Sequence, residues 1–259
     1  MLSLEEINQA ATILDGIAFE TPLVYSNYLS SRFDARVYLK LENLQRTGSF
    51  KFRGAYHKLT KIRDTLGPKG VVAASAGNHA QGVAHAAHLM SIPSSIVMPE
   101  WASISKQLAT RSYGGQVILA GTSLAESLDQ ARTLEAEGRT FIHPYDDEDI
   151  IAGQGTIGLE IVSQLPEVET ILIPVGGGGL IAGIATAVKS LRPQTSIIGV
   201  QATASASSIA AHKQGKPVNN TAKYYNEDGI SVKKIGQNTF DIIQRVVEEN
   251  VYVDEEEIA

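Results

Sequence analysis

From residue 70 onward, short runs of β-branched and apolar residues alternate with longer amphipathic or alanine-rich runs. Gly70–Ala74, Ser95–Met98, Gln116–Leu119, Thr140–Ile142, Thr170–Ile173 and Ser196–Val200 read as strands, since compact apolar runs bounded by turn formers suit strands covered on both faces. Between them, Asn78–Met90, Ile104–Ser112, Ser123–Glu137, Gly155–Gln164 and Leu180–Leu191 read as helices, with Gly138 closing the third. Such alternation implies βαβ units, hence an α/β fold with parallel sheet. Ala35–Glu42 alternates apolar and polar residues, as a strand with one wet face would. The polar cluster Pro144–Asp149 suggests a boundary between two βα series, and Gln214–Gln237 suggests an irregular surface excursion. Asp254–Glu257 carries a helix-start signature: a capping residue with glutamate three positions on.

Composition narrows the function classes. The 259 residues hold 22 Lys plus Arg against 28 Asp plus Glu, a net charge of -6, which leaves no basic excess to neutralise nucleic-acid phosphates or anionic lipid. With no cysteine, disulfides, thiolate metal sites and cysteine nucleophiles are excluded. The first residues carry glutamates where a signal peptide needs a cationic start, and the apolar stretch Ile171–Leu191 is broken by Pro174 and four glycines. The expectation is a soluble, cytoplasmic protein with neither membrane nor nucleic-acid partner.

Three segments at strand ends carry candidate chemistry. In Thr47–Ala55 (TGSFKFRGA), Lys51 lies between Phe50 and Phe52 after a turn-like Thr-Gly-Ser. Apolar neighbours desolvate an ammonium and make a neutral, nucleophilic amine available, although this segment alone also fits a surface lysine at a helix start. In Ser75–Gly82 (SAGNHAQG), small residues open a helix directly after a strand. Backbone amides there attract an anion, and Ser75, Asn78 and His79 add donors suited to a carboxylate. A nucleotide loop is excluded, because Val83 stands where the Walker pattern requires lysine.

The third segment is Pro174–Leu180 (PVGGGGL), between a strand and a helix. Four consecutive glycines are entropically costly, and they let several amides converge on one anion. No lysine or arginine lies between Ile171 and Val188, so amides and the helix dipole must supply the attraction. The dinucleotide pattern fails at Ile181, which favours a phosphate monoester. His85 and His88, three apart on one helix, have no supporting carboxylate and read as packed or surface histidines. No G-x-S-x-G elbow is present. A desolvated lysine with a cation-free phosphate nest meets the requirements of pyridoxal 5′-phosphate: an amine for the aldehyde, an anchor for the phosphate, and donors for the phenolic oxygen and a substrate carboxylate.

In this order, SFKFRGA, SAGNHAQG, AGQGTIGLEI and PVGGGGLIAG resemble the serine/threonine dehydratases (threonine ammonia-lyases) among fold-type II pyridoxal phosphate enzymes, over about Thr21 to Ala259. The resemblance implies a two-domain α/β fold of the tryptophan synthase β type, parallel-rich with helices on both sheet faces. Residues 1–69 and 147–259 would form a large cofactor-binding domain, and 70–146 a small mobile one. It further implies that Lys51 bonds the cofactor aldehyde, that Phe50 lies beside the ring, and that Asn78 bonds the 3-hydroxyl. Gly176, Gly177, Gly178 and Gly179, with the Leu180 amide, would hold the phosphate, while Ser75, Asn78 and His79 would receive the substrate carboxylate. The implied reaction converts L-threonine, and L-serine, to 2-oxobutanoate or pyruvate and ammonia, in a homodimer or homotetramer.

Departures from the family pattern shape the expectation. Serine racemases carry a serine where this chain has Ala76, so elimination is expected over racemisation; an amino-acid racemase, a hydroxyaspartate dehydratase and a catalytically silent cofactor-binding remnant are the alternatives. Gln201 and Ser207 stand where a family metal site has carboxylates, so no divalent cation is expected there. Family members continue past the position of Ala259 to a segment that partners the pyridine nitrogen. The expectation is therefore a catalytic fold incomplete at its C-terminus, with weak cofactor binding and slow turnover.

Overall fold

The computed structural model describes residues 2–203, 207, 211, 214–218, 229–230, 232 and 234–258. The chain opens with α1 (Leu4–Leu14), which Ser3 and Glu6 cap reciprocally. Strands β1 (Leu23–Tyr25) and β2 (Tyr38–Lys40) then form an antiparallel pair around α2 (Asn27–Phe33). The Ala35–Glu42 strand is thus shorter than its alternation suggests, because β1 offers only three partners and the chain enters a 3₁₀ turn at Glu42. Helix α3 (Lys51–Ile62) follows.

The next stretch is a run of βα units. Strands β3 (Val71–Ala74), β4 (Ser94–Met98), β5 (Gln116–Leu119) and β6 (Thr140–Phe141) make a parallel sheet in the order β5-β4-β3-β6. They are connected by α4 (Asn78–Leu89), α5 (Ile104–Ser112) and α6 (Leu124–Ala136). The central strands β3 and β4 are buried throughout, as their unbroken apolar sequence requires. Beyond Pro144–Asp149 come α7 (Glu148–Gln164), β7 (Thr170–Pro174), α8 (Gly179–Leu191), β8 (Ser196–Ala202), α9 (Gln237–Val246) and β9 (Glu249–Val253). These strands form a second parallel sheet, β7-β8-β9. A short α10 (Glu255–Ile258) ends the described chain, with Asp254 and Glu257 capping reciprocally as the sequence signature requires. Half of the expected Gln214–Gln237 excursion, namely 219–228, 231 and 233, lies outside the described residues, as does Ala259. No helix among the described residues is long and apolar enough to cross a membrane.

Helix α7 begins seven residues before the expected Gly155. Its true cap is Asp147, whose Oδ1 accepts from the amides of Asp149 (3.0 Å) and Ile150 (3.2 Å). Glycines in helices α3, α7 and α8 serve as contact points. A Cβ on Gly153 would lie 2.6 Å from Gly54 Cα, and one on Gly183 would lie 2.6 Å from the Gly155 nitrogen. Helices α3, α7 and α8 therefore meet backbone to backbone. One core joins Phe52, Ala55 and Leu59 of α3 to β3, α4, β4 and Ile150; a second fills the space between α7, α8, α9 and the β7-β8-β9 sheet. Arg53, 1% exposed, ties the layers together: Nη2 lies 2.8 Å from Glu42 Oε1 and 3.0 Å from Glu160 Oε2, and Lys40 also pairs with Glu160.

Candidate active site

Lys51 is the first residue of α3, directly after the Thr-Gly-Ser turn. Its Nζ lies 5.3 Å from the centroid of the Phe50 ring and donates to the Pro144 carbonyl at 2.7 Å. Burial lowers its pKa to about 8. The expected desolvation is present, but only one of the flanking phenylalanines lies beside the amine. Phe52 points into the core, where its ring centroid is 5.7 Å from that of Tyr56 and 5.2 Å from that of His85. Gly82 of α4 packs on the start of α3, so that a Cβ there would lie 3.0 Å from the Lys51 carbonyl carbon.

The SAGNHAQG turn runs from the end of β3 into α4. Ser75 Oγ accepts from the Gly77 amide at 3.1 Å, which shapes the turn, and Asn78 is exposed with no side-chain partner among the described residues. His79 is buried, with Nε2 3.0 Å from the Ile142 carbonyl. A carbonyl only accepts, so Nε2 carries the proton. Burial, and secondarily the Lys51 charge, depresses the His79 pKa to about 3, so the ring is neutral. The His79 ring is thus committed to the protein, and what this residue leaves free at the α4 N-terminus is its amide.

The glycine loop joins β7 to α8. Gly178 has φ +93°, a conformation that side chains rarely adopt, and caps α8 without a side-chain bond. Among the described residues, the amides of Gly176, Gly177, Gly178, Gly179 and Leu180 donate to no acceptor. Five such amides at a helix start suit a phosphate. Phe50 and Leu180 pack against the same core, so the lysine turn and the end of the loop share one wall.

What joins these segments is the stretch 142–146, which the sequence suggested only as a boundary. Ile142 binds His79, Pro144 binds Lys51, the Tyr145 ring lies against Gly177, and the Tyr145 backbone and Cβ lie against Gly179. The Tyr145 hydroxyl donates to the Lys234 carbonyl at 3.0 Å, and burial raises its pKa to about 12. His143 Nδ1 accepts from the Asp146 amide at 2.8 Å, and burial lowers the His143 pKa to about 4. Asp146 caps α9, with Oδ2 accepting from the Gln237 amide at 2.9 Å and Oδ1 from the Asn238 amide at 2.9 Å. The concentration of turn and acidic residues in PYDDED was the available signal; it marked a junction. At the position compared with a metal site, Gln201 and Ser207 are buried, and Gln201 Nε2 donates to the Val175 carbonyl at 3.2 Å.

The chain is similar to known proteins in sequence and in fold. The family described as "Pyridoxal-phosphate dependent enzyme" matches residues 14–259. An L-threonine ammonia-lyase of Thermotoga maritima is 49% identical over 260 residues, covering 100% of this chain and 65% of that protein. The chain thus spans about 65% of the length of that curated relative. The processed form of threonine deaminase isoform 2 from Solanum lycopersicum superposes with a TM-score of 0.90 at 40% identity, over 96% of this chain and 75% of that one. Maize serine racemase gives a TM-score of 0.94 at 31% identity, over 98% and 78%.

Proposed function

We propose, from the premise that the chain belongs to the family of pyridoxal-phosphate dependent enzymes, that it is the body of a threonine/serine ammonia-lyase, which dehydrates and deaminates L-threonine or L-serine. The observation that carries this reading is the pairing of a half-buried amine of pKa about 8 with five acceptor-free amides, bridged by residues 142–146. Both ends fit the cofactor: an amine whose neutral form is available at much lower pH than that of a solvated lysine, for its aldehyde, and a nest of free amides for its phosphate. When bound, pyridoxal phosphate supplies an electron sink that acidifies the amino acid Cα.

The chain's own residues do the rest. Lys51 Nζ would hold the aldehyde, and its free amine would be the group that takes the Cα proton. The amides of Gly176–Leu180 would hold the phosphate, Phe50 would cover the ring, and Asn78 would donate to the 3-hydroxyl. Ser75, Asn78 and the His79 amide receive the substrate carboxylate at the α4 N-terminus. In this reading residues 70–146 form the smaller, mobile domain and 1–69 with 147–259 the larger, in a cytoplasmic homodimer or homotetramer. The likeness to maize serine racemase raises a second reading, racemisation. Ala76 opposes it, because a methyl group cannot transfer a proton to a second face. Borohydride reduction of the chain loaded with pyridoxal phosphate, followed by peptide mapping, tests the site: the pyridoxyl label falls on Lys51, and a label elsewhere refutes the reading. L-serine in D₂O tests the reaction: pyruvate is expected, and D-serine without pyruvate overturns it.

A further inference from the structure

Thr239, the third residue of α9, is fully buried, and no feature of its sequence neighbourhood marks it as part of a site. Its Oγ1 lies 2.8 Å from the Gly177 carbonyl oxygen and 3.1 Å from that of Gly236. The hydroxyl has one proton to give, and the shorter contact is to the glycine loop. The Gly236 amide donates to the same Gly177 oxygen at 3.3 Å, so that carbonyl is held by two donors from the entry to α9. The peptide between Gly177 and Gly178 is trans, and a trans peptide points its N–H opposite its C=O. Fixing the carbonyl toward α9 therefore turns the Gly178 amide away from α9, to the side where it has no acceptor among the described residues. Thr239 also backs the loop sterically: a Cβ on Gly178 would lie 2.9 Å from both Thr239 Cβ and Oγ1. Asp146 fixes Thr239 in turn, accepting from its amide at 3.3 Å as well as from those of Gln237 and Asn238.

We propose that Thr239 is a positioning residue for phosphate recognition: its hydroxyl sets the orientation of the Gly177–Gly178 peptide, and with it the preference of the loop for a phosphorylated cofactor. The proposal rests on the cofactor reading above, and it makes a claim that reading does not, since a Gly-Gly peptide has no side chain to stop it flipping. The test is a ratio. The full chain is titrated with pyridoxal phosphate and with pyridoxal, which lacks the phosphate, by the visible absorbance of the lysine-bound cofactor. Thr239→Val is expected to lower pyridoxal phosphate affinity about tenfold, the size of one lost hydrogen bond, with pyridoxal affinity unchanged. Thr239→Ser is expected to restore the wild-type ratio. Equal losses for both ligands would assign Thr239 a merely structural role, and an unchanged ratio would equally overturn the proposal. If the valine variant does not fold, Thr239→Ala, which loses the hydroxyl without adding bulk, carries the same comparison. A wild-type chain without Lys51-dependent absorbance would refute the cofactor reading instead. Inorganic phosphate then decides Thr239 separately: it should raise the thermal midpoint of the wild type and not that of the variant, and equal rises would overturn the proposal.

Discussion

Replacing Gly177 by alanine puts the seat of Tyr145 to a quantitative test. Gly177 does not have a positive φ, so alanine meets no backbone objection. The objection is the ring: the new methyl would lie 2.3 Å from Tyr145 Cγ, 2.4 Å from Cδ1 and 2.5 Å from Cδ2. Carbon atoms rest about 3.5–4.0 Å apart, so an ångström or more of relief is needed. Tyr145 is poorly placed to give it. Its hydroxyl is bonded to the Lys234 carbonyl, its amide to His143, and its ring centroid is 4.7 Å from that of His143. Overpacking of this kind costs about 1–3 kcal/mol. In a Tyr145→Ala background the obstacle is gone, and the same glycine substitution should cost less than about 0.5 kcal/mol. Urea denaturation of the four proteins gives a coupling of about 1–3 kcal/mol between the two positions. An equal cost in both backgrounds would refute the placement of the ring over the loop.

The Lys51 pKa of about 8 lies below the 10.5 of a solvated lysine, so the folded chain binds fewer protons than the unfolded one across that window. The stability contributed by this group therefore rises with pH from about 8 to 10.5, while protonation below about 8 opposes its burial. Labelling of Lys51 by an amine-reactive reagent, mapped by mass spectrometry, should show a midpoint near 8, and a midpoint near that of a solvated lysine would contradict it. Arg53→Met leaves the partly buried Glu42 and Glu160 without their shared partner, Glu160 keeping only Lys40, at a cost of about 1–3 kcal/mol read by equilibrium unfolding. Arg53→Lys should recover only part of that loss, since one ammonium cannot reproduce the fork. Asp146→Ala removes the cap of α9 and should cost about 1 kcal/mol. Its signature is faster hydrogen exchange at the Asn238 and Thr239 amides, with exchange in α4 unchanged.

The strands from β3 to β8 and the helices from α4 to α8 were legible because their periodicities are unambiguous and their turns carry glycine or a capping serine. Lys51 and the glycine loop were legible for a related reason: their residue types are costly unless used. The α7 start was placed too late, at Gly155; Gly153 and Gly155 acquire their role as contact points only once α3 and α8 lie against them. Asp147 had the makings of a cap, but the polar cluster around it suggested a boundary. Thr239 was illegible altogether, and of Asp146 the sequence showed only its place in an acidic cluster. A threonine three residues into an amphipathic helix acquires its role only from Gly177, which lies 62 positions away in the sequence.

The glycine contacts between α3, α7 and α8 set a manufacturing tolerance. In the proposed reading a cofactor's aldehyde and phosphate would be gripped a short, fixed distance apart, between the starts of two helices, α3 and α8. Side chains interposed between helices can change rotamer and absorb an error in spacing. Peptide groups in direct contact have no such slack. The span between Lys51 and the glycine loop is therefore gauged by peptide thickness through α7, so an added methyl at Gly54, Gly153 or Gly183 would re-dimension a site that it never touches.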